Sequence, residues 1–321
     1  MAGGGTIKAQ SGFNANADAE ALYKAMKGFG TDEGAILQLL TARSNAQRQQ
    51  IKAAYKTLHG KDLVSELQSE LTGKFETLIV ALMDTPTMYD VRCLKNAIKG
   101  VGTREKVLIR ILASRTCREI QEINNAYKQE YGKSLEDDVT GDTGGAFRQL
   151  LVVLLQASRQ QGVQEATIQS DAKALFEAGE KKFGTDEEQF VTILGNRSAE
   201  HLRSVFVQYM KLAGFQIEES IKRETSGHLE ELLLAVVKCA RSVPAYLAEC
   251  LYHAMKPSPQ GAGTDDNTLI EIMVSRSEID MLDIRVEFRR MFATSLYKMI
   301  KGDTSGDYSK TLLLLCGGDD A

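Results

Sequence analysis

The chain has 321 residues, 39 Lys and Arg against 43 Asp and Glu, a net charge of −4 and 43% hydrophobic residues, the composition of a globular protein long enough for several cores. That balance excludes disorder, collagen and small disulfide scaffolds, and without a basic surplus it excludes holding polyanions by bulk charge. Nucleic acid is therefore not an expected partner, and an anionic membrane would need a bridging cation or a local basic patch.

Met1 to Gly12 is glycine-rich and polar, lacks the apolar core of a signal peptide, and reads as a short tail. Asp18 to Lys27 then places Ala21, Leu22, Ala25 and Met26 at helical spacing, and Gly28 and Gly30 end that helix. Thr31 is the expected N-cap of a second helix that turns Ile36, Leu37, Leu39 and Leu40 to the core. Ser44 with Gln47 has the capping-box pattern for a third, and Lys61 to Glu70 makes a fourth. A fifth, Phe75 to Met83, is apolar nearly all round, as are Leu150 to Leu155, Leu232 to Val237 and Leu312 to Cys316 further on, so these segments belong in the interior. All are far shorter than the roughly 20 residues that cross a bilayer. Five cysteines without metal-ligand spacing favour reduced thiols and a cytoplasmic location.

The same series recurs four times. Gly-Thr pairs stand at Gly30, Gly102, Gly184 and Gly263, and fixed offsets from those glycines keep residue type. Thirteen positions on come Arg43, Arg115, Arg197 and Arg276; twenty-five on come Tyr55, Tyr127, Tyr209 and Phe288. Forty on come the acids Glu70, Asp142, Glu224 and Asp303, each followed three positions later by Gly73, Gly145, Gly227 or Gly306. With no sustained two-residue alternation, the fold class is all-α, four repeats of about five helices. The division is a tail at 1–13, repeats at 14–85 and 86–157, a linker at 158–168, and repeats at 169–243 and 244–318. The polar stretch Ser158 to Gln169 leads us to expect two pairs of repeats on either side of it, each repeat burying its fifth helix against its own bundle.

Two glycines two apart, as in Lys27-Gly28-Phe29-Gly30-Thr31, let the backbone turn several carbonyl oxygens toward one point. Calcium takes six to eight oxygens at flexible geometry, so three carbonyls and one bidentate Asp or Glu leave positions for water or an external oxygen. The competing reading makes the glycines plain helix C-caps and the acid a cap of the fourth helix; an acid of either length but never an amide weighs against it. The Arg at thirteen is expected to close the second helix or pair with a carboxylate. The aromatic at twenty-five is expected in the core. No EF-hand loop, G-x-S-x-G or HExxH occurs, and His59, His201, His228 and His253 share no repeat position, so an enzyme is not expected. A helical-repeat scaffold for protein partners is the alternative, although its usual periods are about 34 to 47 residues.

At these residues, and in stretches such as SELTGKFE, SLEDDV, RETSG and MVSRSEID, the chain closely resembles the annexin family from about Phe13 to its end. The resemblance implies a curved disc of four five-helix repeats, with loops on the convex face where Ca2+ bridges protein to the phosphates of acidic phospholipids, phosphatidylserine above all. It implies a peripheral membrane protein, and leaves self-association on the membrane open. By position, the first site takes the carbonyls of Met26, Gly28 and Gly30 with Glu70, and the second those of Ile98, Gly100 and Gly102 with Asp142. The third takes Glu180, Lys182, Gly184 and Glu224, with Lys182 in place of a glycine. The fourth keeps only Gly261, Gly263 and Asp303, because Pro257 to Gln260 lengthens its loop by four residues and two prolines fix backbone angles there. Phe29 and Phe183 at the loop tips either reach into the headgroup region or pack on the loop. The family also has a central polar channel, where Cys93 and Arg110 stand in place of the expected carboxylates.

Overall fold

The computed structural model describes residues 4–180, 186–257, 259 and 261–320. Among them are twenty α-helices, one 3-10 turn (Glu165–Thr167) and no strand. The first copy comprises α1 (Ala15–Met26), α2 (Glu33–Thr41), α3 (Asn45–His59), α4 (Leu63–Glu70) and α5 (Gly73–Met83). The second comprises α6 (Pro86–Ile98), α7 (Glu105–Ser114), α8 (Cys117–Tyr131), α9 (Leu135–Asp142) and α10 (Gly145–Leu155). The third is α11 (Ile168–Gly179), α12 (Glu187–Asn196), α13 (Ala199–Ala213), α14 (Ile217–Glu224) and α15 (Gly227–Arg241). The fourth is α16 (Val243–Met255), α17 (Asp266–Arg276), α18 (Met281–Phe292), α19 (Leu296–Asp303) and α20 (Gly306–Cys316).

Local chemistry explains the boundaries. The third helix of the first two copies opens on a capping box, Ser44 with Gln47 and Thr116 with Glu119, which satisfies two otherwise orphaned N–H groups reciprocally. It closes on a left-handed glycine, Gly60 or Gly132. Its fourth counterpart closes instead on Ala293 at φ 57°, where a Cβ is disfavoured. Ala293→Gly is therefore expected to raise stability by up to about 1 kcal/mol, the left-handed strain less the greater unfolded-state freedom of glycine. A chemical melt checks this; an unchanged midpoint would mean that the strain is already relaxed.

In the first three copies the repeated arginine ties the end of its second helix to the start of its first. Arg43 reaches Asp18 at 2.6 and 2.9 Å, Arg115 reaches Asp90 at 2.8 and 2.8 Å, and Arg197 reaches Asp171 at 2.9 and 3.2 Å. In the fourth copy Leu247 holds the aspartate position and is buried, so Arg276 turns to Asp280 of its own copy at 2.7 Å. The aromatics Tyr55, Tyr127, Tyr209 and Phe288 are wholly buried, as expected of core residues.

The pairing of copies differs from the expected one. One compact unit runs through Tyr89 and resumes at Leu247, holding copies one and four; the other is Asp90–Tyr246, holding copies two and three. The polar stretch after Leu155 thus lies inside the second unit, tied to the third copy by Gln160 N donating to Asn196 O and Arg159 Nη1 donating to Leu194 O and Arg197 O. The fifth helices also bury beyond their own bundles: α5 packs on α17 and α20, α10 on α12, and α15 on α7. A helix apolar on most faces has more surface than four short neighbours cover, and the paired copy supplies the rest. In the first unit the N-terminal segment joins this packing, with Thr6 N and Oγ1 donating to Ser277 O and Leu315 O. Gly5 passes so near Glu278 that an added Cβ would lie 2.4 Å from its backbone.

Candidate metal site

Where α1 ends, the backbone of Asp32 donates to Ala25 O at 2.8 Å and closes a loop over the intervening residues. Arg104 N to Ala97 O, at 2.9 Å, closes the second copy's loop in the same register. Inside these loops Gly28, Gly30, Gly100 and Gly102 all take positive φ, from 86° to 108°. Nothing lies within 4 Å of a Cβ built on any of them, so the sign of φ and not crowding requires glycine.

The fold brings the acid forty residues on to each described loop. Thr31 Oγ1 donates to Glu70 Oε2 at 2.5 Å, Thr103 Oγ1 donates to Asp142 Oδ2 at 3.1 Å, and Thr264 Oγ1 donates to Asp303 Oδ2. Each bond uses one carboxylate oxygen. The three acids are exposed, and Glu70 and Asp142 can still offer oxygens toward the loop. Thr31 is therefore not the N-cap of α2; Asp32 is, its side chain accepting from Ala35 N at 3.0 Å. The physical reason is reach: the threonine hydroxyl faces out to the end of α4, while Asp32 faces the open N–H groups of α2. Sequence reasoning assigned the threonine to the wrong task, although its presence beside every double-glycine or lengthened loop was the available signal.

The third and fourth loops depart from this geometry in ways the helix ends define. Asp186 N donates to Ala178 O at 3.1 Å, one residue more than in copies one and two, so Gly179, and not Glu180, matches Met26 in helix register. Glu180 sits just past α11 as its C-cap, and Glu224 is half-buried at the end of α14. Lys182, Gly184 and Phe183 lie outside the described residues. In the fourth copy Asp265 N still donates to Ala254 O at 2.8 Å, so the anchors on either side of the four-residue insertion are unchanged. Gly261 has φ 72°, but Gly263 does not take the left-handed conformation. At the tips, Phe29 is 112% and Val101 109% exposed, which removes loop packing as the reading of Phe29.

In the first unit the acids of copies one and four line one cleft of about 440 Å³, with Glu33, Glu70, Asp266, Asp303 and Asp307 around it. Lys74 and Tyr308 supply its donors: Lys74 Nζ lies 2.6 Å from Asp266 Oδ2, and Tyr308 Oη donates to Asp266 Oδ1 at 2.8 Å. Burial, then that bond to a carboxylate, pushes the Tyr308 phenol above its ordinary range, so it stays a donor. Among the described residues no three His, Cys, Asp or Glu side chains gather as a metal cluster. A cation site built here would take most of its ligands from backbone carbonyls and one from a carboxylate, an all-oxygen set suited to a hard ion such as calcium. No described helix is long and apolar enough to cross a membrane. Arg110 is buried on α7.

The annexin family model matches residues 17–82, 89–154, 170–236 and 246–315. The chain is 65% identical to Annexin A5 of Homo sapiens over 318 residues, 98% of each chain. Among solved structures it is similar to chicken annexin V in complex with Zn2+, at 64% identity and TM-score 0.94, covering 99% of this chain and 100% of that one. It is also similar to a calcium-bound annexin (Sm)1, at 33% identity and TM-score 0.85, covering 99% and 94%.

Proposed function

The chain belongs to the annexin family, and from that membership we propose that it binds acidic phospholipid membranes, phosphatidylserine above all, in a calcium-dependent and peripheral manner. The observation that carries the reading is the threonine–carboxylate bond that sets the acid of copies one, two and four against its loop. Calcium would be held by the carbonyls of Met26, Gly28 and Gly30 with Glu70, and by those of Ile98, Gly100 and Gly102 with Asp142. The third site is assigned to Lys182, Gly184 and Glu224, with the carbonyl of Gly179 in place of the expected Glu180 because Gly179 holds the Met26 position, and the fourth, the weakest, to Gly261, Gly263 and Asp303. When bound, the ion supplies open coordination positions to lipid phosphate. The chain's own residues fix the loop backbone, hold the carboxylate and present Phe29 and Val101 to the headgroup region.

An acidic protein meets an acidic surface here, and net charge −4 offers no attraction of its own. Several incomplete sites on one protein act by multivalency, so weak single affinities sum to firm attachment. A cytoplasmic protein that moves to membranes as calcium rises, and that does not act on nucleic acid, fits this chemistry. Co-sedimentation with phosphatidylserine vesicles tests it: binding is expected with calcium and reversal on adding a chelator. Equal sedimentation in both conditions would favour a helical scaffold for proteins and remove the calcium reading.

A further inference from the structure

In every copy the residue two positions before the carbonyl that closes the loop packs on the buried aromatic of the third helix. Tyr23 lies 6.4 Å from Tyr55, Phe176 6.3 Å from Tyr209 and Tyr252 6.4 Å from Phe288, ring centre to ring centre. Copy two alone has a cation there: Lys95 Nζ stands 5.6 Å from the Tyr127 ring and 4.8 Å from that of Tyr131. That ammonium donates onward to Asp138 Oδ2 at 3.2 Å, an oxygen that also accepts from Tyr127 Oη, while Lys133 Nζ lies 3.0 Å from Oδ1. With both oxygens engaged and 10% of its side chain exposed, Asp138 joins α6, α8 and α9 at one point. No other copy has both the cation and the acid. Glu66, in the place of Asp138, pairs with Lys61 at 3.7 Å, and Tyr55 Oη is buried without a partner. Ser220 and Met299 hold that place in copies three and four.

We propose that Lys95 and Asp138 are positioning residues, a brace one turn beneath the second loop that holds it ready for calcium before any ion is bound, and that copy two is for this reason the best preorganised of the four sites. The inference rests on the loop sites proposed above. Lys95 precedes Ile98, the last residue of α6, by three positions, and Asp138 precedes Asp142, the last of α9, by four. One helical turn on the same face therefore separates each charge from a group assigned to the ion. The carbonyls arrive on α6 and the carboxylate on α9, so the width of the site is the separation of two helix ends, and the Lys95–Asp138 bond crosses that gap. In copy one Tyr23 packs on α3 and sends no hydrogen bond to α4. A binding-competent geometry that is populated only in part weakens apparent affinity by that fraction. The two effects of the lysine have opposite sign: its charge alone repels a cation, so deleting it would lower calcium demand, whereas losing the brace raises it.

The full-length protein and its Lys95→Tyr, Asp138→Asn and Lys133→Gln variants would be compared by amide exchange over residues 99–104 without calcium, and by calcium titration with phosphatidylserine–phosphatidylcholine vesicles. Lys95→Tyr installs the residue of copies one and four, where Tyr23 and Tyr252 stack at 3.9 Å on His59 and Phe292, the counterparts of Tyr131, so its melting temperature should stay near the parent's. It and Asp138→Asn should speed exchange in that loop, and not over residues 27–32, by about fivefold and raise calcium demand about two- to fivefold. Lys95→Tyr keeps the test decisive if Asp138→Asn melts early. Lys133→Gln removes a cation that makes no bond to α6 and should raise neither reading. Loop exchange at the parent's rate in Lys95→Tyr, or a calcium demand that falls as the charge alone dictates, overturns the proposal. Parent binding that ignores calcium would instead remove the site assignment on which the proposal rests, whatever the exchange shows.

Discussion

Glu70→Gln is expected to raise the calcium needed for half-maximal vesicle binding by about 10-fold or more at the first site, the scale of losing a charge-assisted ligand worth roughly 1.5–3 kcal/mol. The amide keeps the size of the acid and can still accept from Thr31, so the loop stays closed and only the anionic, bidentate oxygen pair is lost. Asp142→Asn should act alike, because its copy shares both positive-φ glycines and the threonine bond. Thr31→Val should cost less, since it frees the carboxylate without removing it. Asp303→Asn should cost least: four residues are inserted before Gly261, and Gly263 lacks the left-handed turn that would aim its carbonyl. Vesicle titration of each variant beside a thermal melt separates the alternatives. Falling stability with unchanged calcium demand would mean that the acid merely caps the end of its helix.

Much of this architecture was legible because repetition multiplies weak signals. One Gly-Thr loop is a helix stop; four, each followed at fixed distance by an acid, describe a site. The arginine–aspartate ties were half visible, as an arginine awaiting a carboxylate, but the partner stands before the loop in sequence and shifts by one residue in copy three. The pairing of copies one with four was not legible. It depends on how two fifth helices share apolar surface across non-adjacent segments, and a polar linker is no guide when that linker folds back onto its own unit. Thr31 was misassigned for a related reason. The N-cap pattern is local, whereas its true partner, Glu70, is brought in by three intervening helices.

Asp90→Ala should destabilise the protein by about 3–5 kcal/mol, because it leaves the Arg115 guanidinium, with only 4% of its side chain exposed, without its carboxylate. On a unit of this size that lowers the melting temperature by roughly 10 °C or more. The fourth copy shows that the aspartate can be done without once the arginine finds another partner, since Leu247 fills the same place and Arg276 binds Asp280. The double change Asp90→Leu with Arg115→Leu should accordingly recover most of the loss; a double variant as unstable as Asp90→Ala would show that Arg115 packs rather than pairs. Asp171 adds a pH signature. Burial pushes its carboxyl upward, but hydrogen bonds from Arg197 and His201 outweigh burial and hold it below the ordinary carboxylate range. A carboxyl more acidic in the folded than in the unfolded chain contributes stability that is complete above its unfolded value, about 4, and is lost as pH falls through its folded value. Asp171→Asn should therefore be less stable than the parent at pH 7 and lose less stability between pH 5 and 3. Parallel stability curves for the two proteins over that interval would show that Asp171 contributes nothing to acid sensitivity.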